Sequence, residues 1–377
     1  MSTTTTRDLI VFGEDWGALP SSTQHLIQHL RKDRKVLWVN SIGLRQPSLN
    51  IKDIRRVVSK LFAKSQPVPP APQLGSNHFQ ILHPKTLPAP RSIFARWISR
   101  LLLLAQLKPV ISNMGLKSPV LWTSLPTAVD LSGYLDEHAL VYYCGDDFGS
   151  LAGVDHETVS SREEELISKA DLIFSVSQKL NARFPKTTSH LLPHGVDYPL
   201  FSTPTSRAPD FPDNGKPTAG FYGSISDWMD IPLLEKTIKQ LPDWNFVFIG
   251  KSNIDVGCLE ELDNTFFLGE KKHADLPSYS QHWTASLLPF KRNQQIDSCN
   301  PLKLREYLAV GKPIISTAFP SASEYQAYIH IIDNASSMVE ALKDSVTDRD
   351  CYFRKQSVSN QTWEMRASSV SRWLNAL

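Results

Sequence analysis

The sequence predicts an α/β protein built from two doubly wound domains that face a cleft, and three observations carry that prediction. Short apolar strands alternate with helical segments along the 377 residues. A stretch with four prolines, residues 202–218, interrupts the alternation once. A second alternation begins directly after it. Strands that are apolar throughout, spaced by helices, belong to parallel sheets covered on both faces.

Residues 8–13 read as the first strand, 23–32 as a helix and 35–40 as the next strand. Residues 65–90 are rich in proline and poor in pattern, which reads as a long loop. Strands are expected at 119–123, 139–144 and 171–176, with helices at 160–170 and 178–184. After the break, strands are expected at 218–223, 245–250, 265–269 and 285–290, and residues 329–333 precede a helix at 336–343. The domain reading is therefore 1–201, a linker at 202–218, a second domain at 219–361, and a helix at 362–377 that returns to the first domain. Ligands of such folds bind at the carboxyl ends of the strands.

Composition sets broad limits. Hydrophobic residues make up 41% and charged residues 21%, which is ordinary for a globular protein. The four cysteines are scattered, so neither a disulfide framework nor a cysteine metal site is expected. No apolar run approaches a membrane span, and the first residues lack the core of a secretory signal. These features point to the cytoplasm. The net charge of +2 hides an asymmetry: residues 31–117 carry sixteen Lys and Arg against two Asp, while residues 118–201 carry five against twelve acids. Residues 51–64 place Ile54, Val57, Val58 and Leu61 at helical spacing among Lys52, Arg55, Arg56, Lys60 and Lys64. Residues 92–108 repeat the theme with Trp97 and a leucine cluster among Arg96, Arg100 and Lys108. Basic amphipathic helices suit an anionic membrane surface; equally, they can pack on a sheet with solvated edges. Nucleic acid is set aside, because the aromatics are not interleaved with the charges.

The most specific segment is Asn300-Pro-Leu-Lys-Leu-Arg-Glu-Tyr-Leu-Ala-Val-Gly-Lys-Pro-Ile-Ile-Ser-Thr317. Asn300 is read as the N-cap and Pro301 as the first helical residue, with Gly311 as a left-handed C-cap. Leu304, Tyr307 and Leu308 share a core-facing side. Lys303 at the helix start can meet a phosphate, and Glu306 can accept from a ribose diol. The alternative is a solvated Lys303–Glu306 ion pair.

That phrase resembles the nucleotide-sugar segment of glycosyltransferases of the two-Rossmann GT-B architecture. It is most similar to bacterial polysaccharide enzymes of the teichuronic-acid and xanthan glucuronosyltransferase kind. Residues 192–197 with Phe201 resemble that family's interdomain phrase, with His194 in place of Asn, and residues 220–228 resemble its first strand and glycine turn after the linker. The resemblance implies a hexosyl transfer from a UDP- or GDP-linked sugar to a lipid-linked glycan acceptor in surface polysaccharide biosynthesis. The enzyme is then peripheral on the inner face of the cytoplasmic membrane.

Gly223 and Ser224 close a strand where backbone can approach a diphosphate. Gly269 and Lys271 resemble the loop that closes over the nucleotide base. Asp146 and Asp147 follow a strand end in the first domain. One of them, preferably Asp146, can act as the base that takes the acceptor proton, and the position resembles the family's catalytic aspartate. Trp16 borders the expected acceptor pocket, where it can stack on a sugar ring or serve as a buried structural ring. Retaining relatives carry Glu-x7-Glu; Ser298 stands where the first Glu belongs, with Asp297 adjacent, so an inverting mechanism is expected. No metal is expected, and no cofactor beyond the donor. The rival readings are a sugar-nucleotide 2-epimerase and a non-catalytic glycan- or membrane-binding protein.

Overall fold

In the computed structural model, residues 6–17, 21–42, 78–87, 92–149 and 155–377 are described. The chain divides into two compact units, Met1–Pro193 with Arg366–Leu377, and His194–Met365. Each holds one parallel sheet.

The first unit's strands are β1 (Leu9–Phe12), β2 (Val36–Val39), β3 (Phe79–Leu82), β4 (Val120–Thr123), β5 (Ala139–Cys144), β6 (Leu172–Ser175) and β7 (Ser189–Leu191). They lie in the order β3-β2-β1-β4-β5-β6-β7. Every residue of β1, β2, β4, β5 and β6 is buried. That is the double coverage their largely apolar runs require. The order reverses direction between β1 and β4, which marks the switch point at the carboxyl edge. β3 falls inside the stretch expected as a long loop. Its residues are only half buried and include Gln80, so this edge strand carries too weak an apolar signal to stand out beside the prolines.

The second unit's strands are β8 (Thr218–Tyr222), β9 (Asn245–Ile249), β10 (Thr265–Phe267), β11 (Ala285–Leu288), β12 (Ile314–Thr317) and β13 (His330–Ile332), in the order β10-β9-β8-β11-β12-β13. Here the switch point lies between β8 and β11. The helix Leu302–Val310 is the crossover from β11 to β12, so its amino end sits at the carboxyl edge of the sheet. Residues 202–218, expected as a linker, pack instead as part of this unit. Ala208 and Phe211 join its core, and Gln281 donates to the carbonyls of Phe201 and Thr203.

Helix starts follow local chemistry. Ser21, Ser92, Asp155, Asp230 and Asn334 each accept a hydrogen bond from a first-turn N–H. The final helix, Trp363–Leu374, begins in the second unit and ends in the first. Within the first unit Trp373 stacks on His190 at 3.7 Å, and the buried Arg34 donates to Ser371 and Asn375.

The candidate basic helix at 51–64, with Lys52, Arg55, Arg56, Lys60 and Lys64, lies outside the described residues. The other one forms the helix Ile93–Met114. Two of its cations are engaged, Arg96 by Asp130 and Glu165 and Arg100 4.3 Å over the Tyr134 ring, while Lys108 is exposed. Its first turns also leave large apolar side chains in solvent, with Ile93 84%, Phe94 69% and Trp97 47% exposed, followed by Leu101 and Leu102. No described helix is long and apolar enough to cross a membrane.

Candidate functional site

The helix Leu302–Val310 begins one residue later than expected. Pro301 occupies the N-cap position and makes no side-chain cap bond. Asn300 does not cap; it is buried and accepts from the guanidinium of Arg305, which also donates to Gln361. The two Asn300 and Pro301 expectations are thus corrected, because the buried Arg305 needs acceptors more than the helix end does. Gly311 closes the helix at φ 84°, donating to the Tyr307 carbonyl. Leu304, Tyr307 and Leu308 are wholly buried, as their spacing predicts.

Lys303 and Glu306 do not pair. Glu306 accepts from the Tyr222 hydroxyl and from His273 Nε2, each at 2.8 Å. It is only 8% exposed. Desolvation pulls its pKa upward, but the bonds and charge of His273, then Tyr222 and Lys303, outweigh this and hold it below the usual carboxylate range. Lys303 has no carboxylate within ion-pair distance among the described residues. Its ammonium lies 5.5 Å over the Phe221 ring and 5.6 Å over that of Trp228. Desolvation lowers its pKa, against the charge of Glu306. A half-buried cation without a counter-ion is a place for an anion.

The ground beneath Lys303 is backbone. β8, β9 and β10 lie side by side, and each runs into a glycine of positive φ: Gly223 at 125°, Gly250 at 136° and Gly269 at 66°. Gly250 donates to the Gly269 carbonyl at 2.8 Å. A Cβ on Gly250 would fall 2.2 Å from the Gly223 carbonyl oxygen, and one on Gly223 would fall 2.1 Å from Lys303 Cε. The carboxyl edge therefore presents a crest without side chains, capped by one ammonium. Gly250→Ala should cost about 1–3 kcal/mol in strain and lower the melting temperature, since backbone must shift. An unchanged melting temperature would contradict this packing.

Ser224 follows Gly223 and is half buried. Lys271 is turned elsewhere, 2.6 Å from Asp210 and over the Tyr279 ring, so Gly269 rather than Lys271 adjoins the crest. Ser298 donates to its own helix at the Gln294 carbonyl. Gly250 and His273 escaped the sequence reading. A third strand ending in glycine was a usable signal for the first; nothing local marks the second, whose partner is 33 residues away.

In the first unit, Asp146 and Asp147 follow β5 and separate as expected of adjacent side chains. Asp147 is bound by Arg183 at 2.9 Å, and Arg183 also grips the buried Glu163, which accepts from Tyr142. Asp146 reaches solvent, and its carboxylate has no hydrogen-bond partner among the described residues. The protein crowded around it, then the charges of Glu14 and Asp147, raise its pKa above the usual aspartate range. Glu14, just after β1, accepts from Ser21 and Gln24. Trp16 is half buried and packs its ring 4.7 Å from both Trp38 and Phe79, with Arg31 at 5.8 Å.

No protein-family model matches the chain. It is 27% identical over 300 residues to a Bacillus subtilis protein named "Putative teichuronic acid biosynthesis glycosyltransferase TuaH", covering 72% of this chain and 75% of that one. Among solved structures it resembles Anabaena Alr3699/HepE in complex with UDP and glucose, with a TM-score of 0.66, 12% identity, and 98% of this chain and 100% of that one covered. It also resembles the α,α-trehalose-phosphate synthase (UDP-forming) of Burkholderia vietnamiensis, with a TM-score of 0.67 and 11% identity over 99% of both chains. The two parallel sheets with interleaved helices are those of the GT-B fold.

Proposed function

We propose that this GT-B chain is a glycosyltransferase of surface polysaccharide biosynthesis, taking a sugar from a nucleoside-diphosphate sugar, UDP-linked in the first instance, to a lipid-linked glycan acceptor. The observation that carries the reading is Lys303, an unpaired and partly desolvated cation over a side-chain-free crest at the carboxyl edge of β8. The HepE complexes with UDP and UDP-glucose, and the name of the B. subtilis relative, support the donor class and the pathway.

In this reading the second unit holds the donor. Lys303 and the backbone of the crest take the diphosphate, and Glu306 takes the ribose hydroxyls. On the first unit, Asp146 removes the proton from the acceptor hydroxyl as its oxygen attacks the anomeric carbon. The bond from that carbon to the diphosphate breaks, and Lys303 offsets the charge that develops on the leaving nucleoside diphosphate. A single displacement of this kind inverts the anomeric centre. The raised pKa of Asp146 makes it a stronger base than an ordinary aspartate, and the Arg183 ion pair of Asp147 favours Asp146 over its neighbour. Incubation with UDP-glucose and other nucleotide sugars, with and without lipid-linked glycan, tests this. Acceptor-dependent glycosylation is expected. Release of an epimerised sugar nucleotide without acceptor would overturn it.

A lipid-linked acceptor brings the protein to the inner face of the cytoplasmic membrane. The exposed Ile93, Phe94, Trp97, Leu101 and Leu102 supply the apolar share of that docking, and the cations of residues 51–64 the electrostatic share. Each basic residue near an anionic surface contributes roughly 1 kcal/mol. Binding to anionic but not neutral vesicles is expected, weakened by salt and by charge reversal at Arg55, Arg56 and Lys60. Co-sedimentation indifferent to lipid charge would contradict the electrostatic share.

A further inference from the structure

The carboxylate of Glu306 is engaged on both oxygens before any ligand arrives. Oε1 meets His273 Nε2 and Oε2 accepts from the Tyr222 hydroxyl, both at 2.8 Å. An ionised carboxylate offers about four acceptor positions, so one remains on each oxygen, which is what two vicinal hydroxyls require. The His273 ring is itself fixed, edge-on to Phe201 at 5.3 Å with an interplanar angle of 69°. It comes from the 3-10 turn His273–Asp275 after β10, so the loop that follows Gly269 reaches back onto the helix Leu302–Val310.

We propose that His273 is a positioning residue of the donor site: as an imidazolium it fixes the Glu306 carboxylate for the ribose diol and adds a second positive charge to the site that holds Lys303. Nucleotide-sugar affinity then follows the protonation of His273. This rests on the donor reading of Glu306 and Lys303. Glu306 contacts His273 directly, Asp197 acts on it by charge, the Phe201 ring packs against it, and Tyr222 shares its Glu306 partner. Desolvation opposes the imidazolium, yet the bond and charge of Glu306 and the charge of Asp197 prevail, so its pKa lies above the ordinary histidine value. A proton held this way is present below that raised pKa and lost as pH rises through it. Affinity for an anionic donor therefore falls on the alkaline side.

Calorimetric titration separates this from a merely structural role. UDP-glucose, whose diphosphate does not titrate in this range, is the probe for pH; UDP and 2′,3′-dideoxy-UDP are the probes for the diol. The wild-type chain is expected to lose roughly tenfold in UDP-glucose affinity between about pH 6 and pH 9, the equivalent of ~1.4 kcal/mol. His273→Gln, which keeps a donor to Glu306 without the charge, should show a flat profile. His273→Ala should narrow the preference for UDP over its dideoxy analogue by about tenfold, and His273→Gln should restore it. Should the alanine variant not fold, the wild-type and glutamine profiles decide. A flat wild-type profile, or an alanine variant with full diol preference, overturns the role of His273 while the donor reading stands. A wild-type chain that binds UDP and dideoxy-UDP alike overturns the Glu306 role, and this proposal with it.

Discussion

Asp146→Asn is expected to cut sugar transfer by about 10²–10⁴-fold, the usual contribution of a positioned general base. Donor affinity should hardly change, because a base acts on the acceptor proton in the transition state and makes no ground-state contact with the nucleotide. The structure sharpens the choice between neighbours. Asp147 is committed to Arg183, within a chain that continues through Glu163 to Tyr142, whereas Asp146 has no such partner among the described residues. Asp147→Asn should therefore destabilise that network and leave a base in place. The pH profile gives a second check. A base works when deprotonated, and the crowding around Asp146, with Glu14 and Asp147, raises its pKa. Activity should thus be lost on the acid side at a pH above the ordinary aspartate value of about 3.9. Full turnover in Asp146→Asn, with turnover lost in Asp147→Asn, would move the role to Asp147.

Much of this architecture was legible in the residues because parallel sheets write themselves as short apolar runs. β1, β2, β4, β5 and β6 are buried on both faces, so they are made almost wholly of apolar residues, with Thr123 and Ser175 at strand ends. β3 is half buried at a sheet edge and lacks that signature. Residues 202–218 look like a linker by proline content. Their attachment to the second unit comes from Gln281 and His282, which reach back to carbonyls some 80 residues earlier, and no local pattern encodes that. The same division holds at the site. Lys303, Glu306 and Gly223 stood out because helix start, spacing and glycine turn are local signals. The fate of Asn300 was not readable, since it depends on the burial of Arg305. Arg96 shows the same limit: its partners Asp130 and Glu165 lie far along the chain, and no local pattern marks them.

The second large effect is at Glu306. Glu306→Ala should weaken donor binding by roughly 10–150-fold, the loss of hydrogen bonds to a charged acceptor at about 1.5–3 kcal/mol. It should also lower stability, because the buried Tyr222 hydroxyl and His273 lose the acceptor they share. Binding and stability must therefore be read separately, with the binding measured on protein shown to be folded. Lys303→Ala should behave differently. Its ammonium addresses phosphate and makes no ion pair in the second unit, so removal should spare the fold and act on the diphosphate alone.

The central claim is that the second unit is a nucleotide-diphosphate site built on Lys303 and Glu306. Its most direct test is calorimetric titration of UDP and of uridine into the wild-type chain, Lys303→Ala and Glu306→Ala. The account predicts that the wild-type chain binds UDP, that Lys303→Ala loses UDP affinity while keeping its affinity for uridine, and that Glu306→Ala loses affinity for both. UDP affinity unchanged in both variants, or UDP and uridine weakened equally by Lys303→Ala, would contradict it.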